Sequence, residues 1–274
     1  MNYIQLTYES YLKKKINYHV WEQEHQSHKK IVILLHGICY NGDTYPDLID
    51  FLINLNYIVY APDLPGFGLS DGERGRISDF KEYADEIESF RREIIKKEGN
   101  QEIILIGHSL GALIILYYQL RYPDIIARNI LAAPVLKSPL YETAKGNEAI
   151  ELSLLDFCTD ENRVKILTEE KKVEKRITYD LLQKMDNTYQ YIKENYQEND
   201  KLKNTSFLFL QGEFDLVTEE KELKNFYKNI NVKIKDIKTY PRMKHDIFNE
   251  KRNDNIFSDM LLWLDKTEYE YKPK

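Results

Sequence analysis

Cysteine is scarce in this chain: Cys39 and Cys158 are the only two in 274 residues. Two cannot build a disulfide framework, and neither has neighbours at metal-ligand spacing, so a reducing compartment and no metal are expected. No run of about 18 apolar residues occurs, which excludes a membrane-spanning helix and leaves at most peripheral membrane contact. No basic block occurs either. The formal net charge is -6, which argues against nucleic acid as a partner. The opening residues, Met1 to Ser10, are polar and strand-like and lack a basic stretch followed by an apolar one, so no secretory signal is read there and a cytoplasmic protein is expected. Internal repeats and low-complexity linkers are missing. Histidine is limited to His19, His25, His28, His36, His108 and His245.

Apolar residues make up 42% of the chain, enough for a sizeable core in one large domain, with or without an inserted subdomain. Short apolar runs bounded by turn residues alternate with amphipathic stretches, the pattern of βαβ units on a mostly parallel sheet flanked by helices. Buried strands are predicted at Ile31 to Leu35, Tyr57 to Ala61, Ile103 to Ile106, Ile130 to Ala133 and Phe207 to Leu210, and an alternating sixth strand at Val232 to Ile237. Ser78 or Asp79 can cap a helix whose apolar face holds Phe80, Tyr83, Ile87, Phe90 and Ile94. A second helix runs from Ala112 to Arg121 and a last one from about Asn255 to Lys266. Between Lys137 and Asn204 charged residues are dense and no buried strand is read. Ile150, Leu154, Leu155 and Cys158 share one helical face there, as do Ile177, Leu181 and Met185. The expectation is a core of residues 1–136 and 205–274 and a helical cap, 137–204, inserted after the strand ending near Ala133. Such an insertion overhangs the carboxyl ends of the strands, where open α/β sheets place their sites.

The spacing G-x-S-x-G occurs at Gly107, Ser109 and Gly111, and chance supplies roughly 0.016 matches to it in the whole chain. An apolar strand precedes it and a helix follows, as a nucleophile elbow requires. The glycines permit a tight strand-to-helix turn that exposes Ser109, and the helix N-terminus adds N–H donors and a positive partial charge near a reacting carbonyl. Such an elbow resembles that of the α/β-hydrolase fold, in which acid and base follow the serine in the order Asp or Glu, then His. Of the six histidines only His245 follows Ser109, on a loop beyond the sixth strand. Asp215, just past the fifth strand and 30 residues before His245, is the expected acid, with Glu213 as its rival. His36-Gly37 closes the first strand. The next residue, Ile38, and Leu110 after the nucleophile are the expected backbone donors of an oxyanion hole. His36 is read as orienting that loop, and Cys39 as a small buried side chain.

Longer segments carry a narrower resemblance. Asp63-Leu64-Pro65-Gly66-Phe67-Gly68-Leu69-Ser70-Asp71-Gly72-Glu73-Arg74-Gly75, the elbow, and His245-Asp246-Ile247-Phe248-Asn249-Glu250 are similar to the D-x-x-G-x-G-x-S-x-G-x-R-G, elbow and H-x-x-x-x-E segments of the monoacylglycerol lipase and lysophospholipase branch of α/β-hydrolases. The resemblance covers most of the core. It implies hydrolysis of small or monoacyl-lipid carboxylic esters, no cofactor, and a mobile cap. Two regions depart from the branch: the loop Ile38-Cys39-Tyr40-Asn41 and the Lys- and Glu-rich insertion. Substrate choice lies in those regions, which leaves thioesterase or small-peptide hydrolase activity, or a non-catalytic ligand receptor, as alternative readings.

Overall fold

Strands that are apolar at every position are stable only between two covering layers. Five segments meet that condition, Ile31 to Leu35, Tyr57 to Ala61, Ile103 to Ile106, Ile130 to Ala133 and Phe207 to Leu210; all are buried, and they form the centre of the sheet. In a computed structural model, residues 1–24, 30–196, 202–251 and 253–268 are described. His25 and His28 lie outside these residues, as do 197–201 of the expected cap and 269–274 of the expected core.

The chain opens with a hairpin, β1 (Asn2–Glu9) and β2 (Lys15–Glu22), then runs through β3 (Lys30–Leu35), α1 (Pro46–Asn54), β4 (Tyr57–Pro62), α2 (Lys81–Glu98), β5 (Ile103–His108), α3 (Leu110–Arg121) and β6 (Arg128–Ala132). After an excursion it returns as β9 (Ser206–Gly212), α7 (Glu220–Asn229), β10 (Ile234–Tyr240) and α8 (Asp254–Glu268). The eight-stranded sheet has the order β1-β2-β4-β3-β5-β6-β9-β10. β3, β4, β5, β6, β9 and β10 run parallel, and the β1–β2 hairpin joins β4 antiparallel. The sequence pattern overlooked β2, because its buried face includes polar residues. Asn17 and His19 are fully covered and bind inside, Asn17 Nδ2 donating to Asp63 Oδ2 at 2.8 Å. It also overlooked α1, which starts on Pro46 and buries Leu48, Ile49, Leu52 and Ile53, and the largely exposed α7.

On α2 the expected face is buried: Tyr83, Ile87, Phe90 and Ile94, with Phe80 just before the helix. Asp79 Oδ1 accepts the Lys81 N–H at 3.0 Å at its start. α3 is buried almost all round, from Leu110 to Leu116, as a helix wedged between the sheet and other helices must be. Each such large apolar side chain contributes about 1.5–3 kcal/mol by leaving water.

The excursion between β6 and β9 corrects the expected pattern. It comprises α4 (Pro139–Ala144), β7 (Ala149–Glu151), a 3₁₀ turn at Leu154–Asp156, α5 (Glu161–Glu169), β8 (Arg176–Thr178) and α6 (Tyr179–Asn195). β7 and β8 pair antiparallel, Ile150 opposite Ile177, so neither residue lies on a helix. Leu154 is buried but Leu155 is 54% exposed, so the single helical face read from Ile150 to Cys158 does not form. Ile177 is at the head of α6, whose face Leu181 and Met185 do share. Among the described residues no helix is long and apolar enough to cross a membrane.

Candidate active site

The carboxyl ends of the parallel strands bring three separated loops together. At the end of β5, Ser109 sits at φ 53°, ψ -112°, a strained turn from strand into α3. A tether holds it, since its N–H donates to the Ala132 carbonyl of the neighbouring β6 at 2.9 Å. The turn requires glycine on both sides. A Cβ on Gly107 would lie 2.7 Å from the Gly111 carbonyl, and one on Gly111 would lie 2.3 Å from the Leu35 oxygen.

Of the residues expected as base and acid, His245 is in contact with this serine and Asp215 with His245. His245 Nε2 is 2.7 Å from Ser109 Oγ, and His245 Nδ1 is 2.9 Å from Asp215 Oδ2. A carboxylate can only accept, so Nδ1 carries the ring proton and Nε2 is free to accept from the serine hydroxyl. Asp215 is itself held: its Oδ1 accepts the backbone N–H groups of Val217 at 2.7 Å and Thr218 at 3.0 Å. Burial pushes the Asp215 carboxyl up, but the adjacent His245 and the two N–H donors outweigh it and hold it below the usual carboxylate range. The rival Glu213 is exposed, and its Oε2 accepts from the Arg242 N–H at 3.1 Å, away from His245.

Behind Ser109 lies the loop after β3. Gly37 approaches so closely that a Cβ there would lie 3.2 Å from Ser109 Cβ, and Ile38 is the next residue of that loop. Leu110 is the first residue of α3, where an N–H has no partner within the helix. His36 donates from Nδ1 to the Gly37 carbonyl at 2.7 Å and accepts the Leu64 N–H on Nε2 at 2.9 Å, so it spans two loops. Burial lowers its pKa to about 4, keeping it neutral. Cys39 is fully buried, which raises its thiol pKa well above the ordinary value, as expected of an unreactive side chain. The site is closed: Ser109 is 1% exposed and His245 2%.

A family model described as "Serine aminopeptidase, S33" matches residues 26–252. The chain belongs to that family. Curated proteins similar to this S33-family chain include mouse monoglyceride lipase, 30% identical over 130 residues that cover 47% of this chain and 42% of that protein. The alignment thus spans less than half of the mouse protein. The monoglyceride lipase homolog of monkeypox virus is 24% identical over 259 residues, 86% of this chain and 89% of the viral protein. Among solved structures, the monoacylglycerol lipase of Paleococcus ferrophilus is similar at a TM-score of 0.69 and 26% identity, covering 85% of this chain and 93% of the other. A soluble variant of monoglyceride lipase from Saccharomyces cerevisiae, solved with a substrate analog, reaches a TM-score of 0.79 at 21% identity over 92% of each chain. The fold of this S33-family chain is that of the α/β-hydrolases, as the elbow and strand pattern led one to expect.

Several residues around the S33-family site escaped the sequence reading. The Tyr45 hydroxyl oxygen (Oη) accepts the Gly37 N–H at 3.2 Å and donates its own hydrogen to His108 Nδ1 at 2.8 Å, while His108 Nε2 donates to the His245 carbonyl at 3.0 Å. This bridge ties the loop of Ile38 to the loop of His245. Burial lowers His108 to about 4, so it stays neutral in that role. Phe157 forms a roof, its ring edge-on to the His245 ring at 5.6 Å between centroids. A histidine inside the elbow was visible in the sequence, but its partners are distant in the chain and carry no spacing signal.

Proposed function

We propose that this chain is a serine ester hydrolase acting through an acyl-enzyme, with Ser109 as nucleophile, His245 as base and Asp215 as orienting acid. The observation that carries the reading is the continuous hydrogen-bond line from Asp215 through His245 to Ser109. Ser109 Oγ attacks the ester carbonyl carbon as its proton passes to His245 Nε2. The oxyanion takes the N–H groups of Ile38 and Leu110. Collapse expels the alcohol, which receives the proton from His245. Water, deprotonated by the same nitrogen, then attacks the acyl-enzyme and releases the acid and Ser109. This chemistry calls for no cofactor and no metal.

The substrate class proposed is a monoacyl ester of the monoacylglycerol or lysophospholipid kind, with residues 137–204 as the cap over the site. The similarity to monoglyceride lipases supports it. A peptidase reading is favoured by the family description alone. One experiment separates them: kcat/KM of the purified protein and of Ser109→Ala on a panel of monoacyl esters of rising chain length, thioesters and aminoacyl amides. The proposal expects monoacyl esters to lead and Ser109→Ala to lose about four to six orders of magnitude. A folded Ser109→Ala with native activity refutes the triad, and preference for the amides refutes the ester assignment.

A further inference from the structure

We propose that Glu250 is a positioning residue for the reaction, a carboxylate that grips the loop of His245 and the roof above it at the same time. The proposal rests on His245 being the base.

Glu250 is 3% exposed, unusual for a charged side chain. Its Oε1 accepts the backbone N–H of Lys244 at 3.0 Å and that of Thr159 at 3.1 Å, and its Oε2 accepts the Thr159 hydroxyl. Lys244 directly precedes His245. Thr159 is two residues from Phe157, whose ring lies against the His245 ring and whose carbonyl accepts the Asp246 N–H at 2.7 Å. One carboxylate therefore fixes the backbone on the near side of the base, while the segment it holds binds the backbone on the far side. His245 is framed between the two.

Hydrogen bonds to a charged acceptor are stronger than neutral ones, and removing the acceptor strands buried N–H groups. The base loop then shifts to recover those bonds, and the 2.7 Å approach of Nε2 to Ser109 Oγ is what such a shift degrades. Proton transfer depends steeply on that distance, so the effect falls on kcat rather than KM. The role belongs to geometry more than to charge. A glutamine can keep both N–H bonds on its amide oxygen and donate its NH₂ to Thr159 Oγ.

The test uses the full chain, kcat and KM on a soluble p-nitrophenyl ester, and the rate of fluorophosphonate labelling of Ser109. Glu250→Ala is expected to lower kcat about 10- to 100-fold with KM changed less than about threefold, and to slow labelling in parallel. Glu250→Gln is expected to stay within about threefold of native in all three. If Glu250→Ala does not fold, Glu250→Asp takes its place: it keeps the charge but withdraws the carboxylate by one methylene, so it cannot reach both sides, and the same fall in kcat is expected. A folded Glu250→Ala or Glu250→Asp with native kcat and labelling rate overturns the proposal. So does a Glu250→Gln that falls as far as the alanine variant, or a change confined to KM. Ser109→Ala in the same assay separates the two claims, because activity surviving there condemns the triad and not the grip of Glu250.

Discussion

Replacing Asp215 with asparagine changes one atom and reverses a proton. Asp215 divides its oxygens: Oδ1 takes the Val217 and Thr218 N–H groups, and Oδ2 faces His245 Nδ1 at 2.9 Å and Gln211 Nε2 at 3.3 Å. In Asp215→Asn the amide oxygen stays with the two backbone donors, since an NH₂ cannot accept from them. The NH₂ then points at His245 and donates to Nδ1, which drives the ring proton to Nε2. That nitrogen sits 2.7 Å from Ser109 Oγ and now donates where it should accept. A wrong tautomer in a Ser-His-Asp triad costs roughly 10⁴ in kcat, about 5.4 kcal/mol at 1.36 kcal/mol per tenfold. The substitution is nearly isosteric and keeps both backbone bonds, so the fold should survive. The assay is kcat on a p-nitrophenyl ester, with circular dichroism and thermal unfolding as checks on structure. Glu213→Gln, which alters an exposed side chain bound to Arg242, should remain within about twofold of native. A folded Asp215→Asn with more than a tenth of native kcat, or an equal loss in Glu213→Gln, refutes this assignment of the acid.

Three further outcomes follow from the packing and charge. A Cβ on Gly212 would lie 2.1 Å from the Lys244 carbonyl oxygen, so Gly212→Ala should displace the base loop from the acid loop. A loss of at least about tenfold in kcat is expected, with a stability cost of about 1–3 kcal/mol by urea unfolding, and unchanged values for both refute the close packing. Leu154 is 3% exposed and its neighbour Leu155 54%, so Leu154→Ser should cost about 2 kcal/mol or more while Leu155→Ser stays within about 0.5 kcal/mol; equal costs refute the turn described at Leu154–Asp156. Burial lowers His36 and His108 from 6.5 to about 4, so between those values the unfolded chain binds protons that the folded chain refuses. Stability is therefore full above about pH 6.5 and declines as pH falls toward 4, by on the order of 3 kcal/mol for each histidine, and a urea midpoint that is the same at pH 7 and pH 4.5 contradicts their buried, neutral state.

The strands that carry the proposed site were legible because their signal is local. A parallel strand covered on both faces must be apolar throughout, and β3, β4 and β5 announce themselves in that way. The elbow was legible for a related reason: Gly107 and Gly111 answer a steric demand made within five residues. His245 followed from scarcity and chain order, since it is the sole histidine after Ser109. β2 was hidden because Asn17 and His19 look solvent-facing until Asp63 is seen beside them. β7 and β8 are three residues each, too short for any period to register, and each is a strand only because the other pairs with it.

Sequence by itself determined the sheet's buried strands, the strained turn that carries Ser109, and the chain order Ser109, Asp215, His245. These depend on backbone sterics and on the burial each short segment demands. Tertiary structure alone decided that Asp215, and not Glu213 two residues earlier, faces His245. It also decided that Tyr45 and His108 link the loops of Ile38 and His245, and that Glu250 reaches 91 residues back to Thr159. Those contacts join residues far apart in the chain, and a hydrogen bond between them leaves no periodicity in the sequence. It exists only once the sheet has set the carboxyl ends of β3, β5, β9 and β10 side by side.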